Sequence, residues 1–306
     1  MLSKNRKRII ASMLIVGSFF TTLLVGCGKE KEVETKPEAK GFQWEVKKDD
    51  KKMYLIGTMH PINTDYEYFS SNVNKIMEET DVLGVEVDLT PEEMLKANAD
   101  GVYTGSATIE DELNDKQIEN LKSICKESGI EYDKLKVLKP HMIVNNLQAV
   151  LYNRAELSMD TFDNMLIEKT KNDKKKVVQL ESMEFQMKLL DKVNGINSLK
   201  QLLDEHKDGK FIESGKEVID YSKGLMEGYA KGDAKVMEDA VKLQKENPES
   251  YKAMIKDRND EMVKKIEGYF KEDETYTIAV GALHFFGDDG IVKLMENKGY
   301  TVTRME

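Results

Sequence analysis

Two of the chain's four histidines sit in the same local setting. His60 and His284 each close a Gly-x-x-His tetrad that follows an apolar, β-rich run: Tyr54-Leu55-Ile56-Gly57-Thr58-Met59-His60 and Ile278-Ala279-Val280-Gly281-Ala282-Leu283-His284. Two carboxylates fall at comparable places. Glu86 lies in the run Val82–Val87, and Glu181 directly follows the run Lys176–Leu180. Imidazoles and carboxylates are the groups from which acid–base and metal-assisted chemistry is built. In open α/β sheets, ligands bind just beyond the carboxyl ends of parallel strands, where all four of these side chains would fall. A lone buried histidine is more often a hydrogen-bonded core residue. Two in matching contexts point to a site.

Arg258 adds a cation. The stretch Ser250–Phe270 reads as a helix whose apolar residues are Tyr251, Met254, Ile255, Met262, Val263, Ile266, Tyr269 and Phe270. Arg258 stands three or four residues from Met254, Ile255 and Met262, and Asn259 stands four from Ile255 and Val263, so both share the inward stripe. A buried guanidinium needs an anionic partner. That partner is either a strand-end carboxylate, in a salt bridge, or a substrate carboxylate or oxyanion.

The elements that must position these residues follow from the apolar pattern. Strands are expected at Lys52–Ile56, Val82–Val87, Lys176–Leu180, Tyr276–Val280 and Tyr300–Arg304, with Phe42–Val46 adding an edge strand. Helical segments at Tyr66–Thr80 and Asp288–Asn297 separate the first two and the last two of these, which implies parallel pairing. From about Pro140 to Phe270 the chain is mainly helical, with periodic segments at Met142–Leu157, Thr161–Lys171 and Phe185–Val193 besides Ser250–Phe270. The expectation is an α/β fold. Its central, mostly parallel sheet is built from both chain ends as two βαβ-like GxxH units, with a large helical middle insertion and a single domain over residues 41–306.

Composition narrows the function. The 306 residues carry 46 Lys+Arg against 56 Asp+Glu, a formal charge of −10, with 40% hydrophobic and 33% charged residues. That balance fits a globular protein. The acidic surplus argues against a nucleic-acid partner, which calls for a basic patch. Two cysteines exclude a disulfide scaffold, and there is no CxxC pair for a structural zinc. His206, at a polar helix end, and the methionines at helical spacing read as solvated and core residues respectively. Cys125, in Leu121–Gly129, reads as a small buried residue.

The first residues read as an address. Lys4, Arg6, Lys7 and Arg8 precede the apolar stretch Ile9–Val25, as in a secretory signal. Leu24-Val25-Gly26-Cys27 resembles the lipobox of bacterial lipoproteins, in which cleavage precedes a cysteine whose sulfur then receives a diacylglycerol. Residues 1–26 are therefore expected to be a signal peptide, and 27–40 a lipidated Cys27 with a charged, flexible tether. Two or three acyl chains suffice for stable anchoring. From Cys27 onward the chain holds 42 basic and 56 acidic side chains, a formal charge of −14. The expected location is the cell membrane, lipid-anchored on its extracytoplasmic face.

Five stretches together resemble the TraB/PrgY/GumN family, to which the Tiki metalloproteases are related. They are YLIGTMH (54–60), GVEVD (84–88), VVQLESMEFQ (177–186), DRN (257–259) and AVGALHFFGDDGIVKLMENKGYTVTRM (279–305). The last is the most specific, with GxxH, a glycine-aspartate turn, a helix and GYTV in order. Pro91–Leu135 carries no matching motif, and His141 stands where the family pattern has an aromatic, so it is given no role. The resemblance implies a metal-dependent hydrolase fold. It implies His60, His284 and Glu86 as ligands of a divalent ion (Mn, Co or Zn), with Glu181 as general base and Arg258 as electrostatic stabiliser. The two glutamates are interchangeable on this reading, and Asn259, beside Arg258, is expected to bind substrate. The substrate would be a peptide or a small molecule; PrgY-like members reduce the activity of a peptide pheromone. The alternative function is a non-catalytic lipoprotein that binds and sequesters a peptide signal or a metal.

Overall fold

The structure, a computed structural model, describes residues 36–207 and 209–306. The expected signal peptide, Cys27 and most of the tether lie outside the described residues. Among the described residues no helix is long and apolar enough to cross a membrane.

Among the described residues six strands form one sheet: β1 (Phe42–Lys48), β2 (Lys51–Thr58), β3 (Val82–Val85), β4 (Lys176–Gln179), β5 (Tyr276–Gly281) and β6 (Thr301–Met305). Their order is β4-β3-β5-β2-β1-β6. The pairs β4–β3, β3–β5 and β5–β2 are parallel, whereas β1 runs antiparallel to both β2 and β6. Strands covered on both faces read as continuous apolar runs. Met53–Thr58, Val82–Val85 and Tyr276–Val280 are accordingly buried throughout. The mixed α/β fold, its mostly parallel sheet and the helical middle are as the sequence implies.

Two details of the sheet differ from expectation. β1 is interior, and β6 forms the edge instead. Lys48 pairs with Lys51, so the turn Asp49-Asp50 folds β1 straight back onto β2, leaving its other side free for β6. Asp49 takes the positive φ of 53° that such a turn requires and that aspartate tolerates. The second difference concerns pairing. β2 and β3 are co-directional across the helix Ser71–Glu79, yet they are not neighbours, because β5 lies between them. β5 and β6, across the helix Ile291–Asn297, are likewise separated, by β2 and β1, and β6 pairs antiparallel with β1. Local crossover reasoning gives direction, but it cannot see a strand that arrives from the far end of the chain.

The helices explain how both chain ends reach one core. Ser71–Glu79 is capped by the Ser70 hydroxyl and buries Val73, Ile76 and Met77 on the sheet. Ile291–Asn297 buries Ile291 and Met295 in the same core. The middle region has an apolar cluster of its own, which includes Leu121, Ile124, Cys125, Ile143, Leu147 and Leu199. The long helix Phe211–Ala230 belongs to both. Its Phe211 sits in the helical cluster, while Leu225, Tyr229 and Ala230 join the sheet core. Pro37–Lys40, read from sequence as tether, lie against the domain. The Glu67 N–H donates to the Pro37 carbonyl at 2.9 Å, and the Lys40 N–H donates to the Ala230 carbonyl at 2.8 Å.

The expected helix Ser250–Phe270 is three consecutive segments. Pro248–Tyr251 and Asp257–Tyr269 are α-helical, and Lys252–Lys256 between them is a π turn. Such turns re-aim the residues that follow them. Arg258 and Asn259 stand immediately after it and point inward, 5% and 0% exposed.

Candidate functional site

His60, Glu86, Arg258 and His284 line one cleft of about 880 Å³, counted with its open mouth. Each arrives from a different element. His60 follows β2, Glu86 follows β3, Arg258 follows the π turn, and His284 sits in the 3₁₀ turn Ala282–Phe285 after β5. The parallel alignment of β2, β5 and β3 puts those strand ends side by side.

The two tetrad glycines serve close approach in different ways. A Cβ on Gly57 would come within 3.1 Å of the Ala282 Cα, so the glycine lets β2 pack against the turn that carries His284. Gly281 brings its N–H to 2.9 Å from Glu86 Oε1, and a Cβ there would lie 3.4 Å from the same oxygen.

Arg258 ties the carboxylates together. Its Nη2 donates to Glu86 Oε2 at 2.5 Å and to Glu181 Oε2 at 2.9 Å, its Nε donates to Glu181 Oε1 at 2.7 Å, and its Nη1 donates to the Met254 carbonyl at 3.1 Å. Of the two readings left open by the sequence, the salt bridge is the one the geometry shows. Burial alone would push the Glu86 carboxyl up, but the charge of Arg258, the nearby imidazoles and the Gly281 N–H hold it down at about 2. Burial opposes the charge on Arg258, and the two glutamates more than offset it, raising the guanidinium above its usual range. Gln186 completes the cluster, with its Nε2 donating to Glu181 at 2.9 Å and to Glu86 at 3.3 Å. Glu181 stands behind the cleft lining, with both oxygens taken by Arg258.

His284 is held in one tautomer. The Asn259 Nδ2 donates to the backbone carbonyls of His284 and Asp289, at 3.0 and 2.7 Å. That orients the carboxamide so that its Oδ1 faces His284 Nδ1 at 2.5 Å and must accept a proton from it. Nε2 is then the unprotonated nitrogen, 3.9 Å from Glu86 Oε1. Burial and the charge of Arg258 pull the imidazole down to about 3, against the opposing pull of Glu86, so it is neutral. Asn259, expected to touch substrate, is fully buried behind the lining and positions His284 instead.

One carboxylate escaped the sequence reading. Asp163, in the first turn of the helix Phe162–Asn172, accepts from the Thr58 hydroxyl at 2.7 Å through Oδ1. Its Oδ2 is shielded from solvent and has no hydrogen-bond partner. Burial pushes this carboxyl up to about 6, with the Glu86 charge adding, against the lowering influence of His60 and Thr58. An aspartate just inside a helix start has an ordinary explanation in capping and the helix dipole, and for that reason it draws no notice in a sequence.

A neutral imidazole with a bare Nε2, its Nδ1–H held by a second residue, is the state a metal-ligating histidine requires. Two imidazoles with a carboxylate also match the donor preference of divalent transition ions. Among the described residues, no group of three or more His, Cys, Asp or Glu side chains stands close enough together to hold an ion without rearrangement. The residues fit the group in chemistry and in tautomer. His141 and His206 lie elsewhere, with His141 buried and its Nδ1 3.3 Å from Asp191, and His206 3.3 Å from the Ser123 hydroxyl.

Fold and site together define a mixed α/β protein whose strand ends, contributed by both ends of the chain, converge on one histidine- and arginine-lined cleft. The chain belongs to the TraB/PrgY/gumN family, whose sequence model matches residues 42–304. No curated protein and no solved structure matches it.

Proposed function

We propose that the protein is a metal-dependent hydrolase, acting on peptides outside the cell while anchored to the membrane by a lipid on Cys27. The observation that carries this reading is the fixed tautomer of His284, which presents a bare Nε2 to a cleft also lined by His60, Glu86 and Arg258. His60 and His284, with Glu86 as the oxygen donor, would hold a divalent Mn, Co or Zn ion. Such an ion supplies Lewis acidity and makes water a stronger acid. Arg258 keeps Glu86 ionised, and Asn259 keeps His284 in its acceptor form. Glu181, engaged on both oxygens by Arg258, acts as the arginine's support. Asp163, which stands behind Thr58 of the lining and has an unpartnered Oδ2, is then the carboxylate left to accept a proton. The lipobox-like Leu24–Cys27 supports the anchor and the extracytoplasmic location.

The test is metal content after gentle purification, followed by incubation of a peptide library with the protein and Mn²⁺ and measurement of masses. The expected result is a bound divalent ion, lost in the His60→Ala/His284→Ala double variant together with cleavage. Unchanged metal stoichiometry in that variant would refute the ligand assignment.

A second reading is a lipoprotein that binds and sequesters a peptide or a metal without cleaving. It is favoured by the engagement of both glutamates by Arg258. Saturable peptide binding with unchanged masses would establish it.

A further inference from the structure

The cleft continues from the histidines into an apolar chamber. Its walls are Leu189, Leu190, Leu225, Met226, Met237 and Met254, all buried. Among the described residues that line the cleft, Glu86 and Arg258 are the charged side chains besides the two histidines, and they neutralise one another. A charged side chain entering the chamber would leave water with nothing to compensate it.

Two carboxamides in this lining carry unpartnered atoms. Gln244, the last residue of the helix Ala234–Gln244, is 2% exposed, and neither its Oε1 nor its Nε2 makes a hydrogen bond. Gln186 is 4% exposed; its Nε2 is committed to the glutamates, which leaves Oε1 as an unpartnered acceptor. Buried polar atoms are almost always satisfied, so a carboxamide in the cleft lining with both ends unpartnered and closed off from solvent calls for a partner that reaches it when the lining opens. A carboxamide offers donors and an acceptor side by side, which is the complement of a peptide group.

We propose that this chamber is a specificity pocket for a bulky, uncharged apolar side chain of a peptide, and that the Gln244 carboxamide hydrogen-bonds a peptide group of the same ligand. Gln186 Oε1 accepts from a further ligand N–H. The inference rests on the hydrolase reading only for the expectation that the bound peptide lies beside the histidines; binding itself requires no cleavage.

The experiment measures equilibrium binding of acetyl-Gly-X-Gly-amide probes, with X as Leu, Met, Phe, Asp or Lys, to the full chain without added metal. Octanoate serves as an apolar probe lacking an amide. The apolar probes should bind about tenfold or more tighter than the charged ones. Gln244→Leu should weaken the apolar probes about fivefold, the loss of roughly one hydrogen bond. Its melting temperature should rise, because two unpartnered polar atoms leave the interior. If Gln244→Leu does not fold, Gln244→Met makes the same comparison. Equal binding for all X, octanoate binding as well as the Leu probe, or a Gln244→Leu variant that melts lower or binds the probes unchanged would each overturn the proposal. Mass measurement with Mn²⁺ added separates the two readings. Apolar-selective binding without cleavage removes the hydrolase and keeps the pocket; cleavage without preference at X does the reverse.

Discussion

Asn259 holds His284 at two points: its Nδ2 donates to the histidine's own carbonyl and its Oδ1 accepts from the ring Nδ1. One side chain thereby fixes both the backbone and the tautomer of a residue 25 positions away. Replacing Asn259 with alanine frees the ring to rotate and to carry its proton on Nε2. The expected result is a loss of divalent-ion affinity of about 10- to 100-fold, the usual effect of removing such a support. Titration of chelator-treated protein with Mn²⁺ or Zn²⁺ measures it, and affinity within twofold of wild type would contradict the tautomer argument.

Arg258→Met leaves Glu86 and Glu181 buried without their countercharge. Breaking a buried pair in this way costs about 3–5 kcal/mol. The loss should be greatest near neutral pH and shrink on acidification, as the orphaned carboxyls take up protons. Adding Glu86→Gln and Glu181→Gln to the same chain should recover much of the stability. Urea unfolding of the single and triple variants at several pH values decides the matter.

Acid should weaken the metal-free fold through His284 and Glu86. The ordinary His284 value of 6.5 falls to about 3 in the folded protein, so below 6.5 the unfolded chain binds a proton that the folded one refuses. Stability therefore falls from pH 6.5 towards 3, by about 2 kcal/mol at pH 5. Glu86, lowered from 4.5 to about 2, adds a second loss that begins as the pH drops through 4.5. His284→Gln should flatten the profile between pH 6.5 and 5, which denaturant titration can follow.

Asp163 acts with the opposite sign. Its folded value is raised from 3.8 to about 6, so the folded state carries an unfavourable carboxylate above pH 6, and that penalty fades as the pH falls from 6 towards 3.8. Asp163→Asn keeps an acceptor for Thr58 and removes the charge. At pH 8 the metal-free variant should be about 2–3 kcal/mol more stable than wild type, with the gain nearly gone at pH 4. Thermal melts at the two pH values test this, and the same variant should lose peptide cleavage.

Gly57→Ala and Gly281→Ala should separate the two tetrads. The new methyl at residue 57 meets backbone at 3.1 Å, whereas at residue 281 its nearest neighbour is a carboxylate oxygen at 3.4 Å. The former should cost about 1–3 kcal/mol of stability, as overpacking does. The latter should be milder in thermal unfolding.

Much of this was legible in the sequence, for identifiable reasons. Strands buried on both faces announce themselves as apolar runs, so β2, β3 and β5 stood out, and the residues at their ends came with them. Helical spacing placed Arg258 and Asn259 on the inward face. Their partners were harder to see, because no local pattern tells a guanidinium facing glutamate from one facing substrate. Spacing cannot distinguish a substrate contact from a support at Asn259, because its bonds run to a carbonyl and a ring brought near only by folding. Asp163 and Gln244 were invisible for a related reason: what distinguishes each is an unpartnered atom, and partnership is a property of the assembled structure.

The position of β5 bears on how the molecule comes into being. Until residues 276–281 have been made, β1–β2 and β3–β4 have no strand to join them, and the cleft lacks His284. A chain shortened before Tyr276 consists of two unconnected strand pairs, so the arrangement forms only once residues 276–281 are available. Long-range closure of this kind slows folding, and it makes the cleft depend on a segment far along the sequence from the strands it joins.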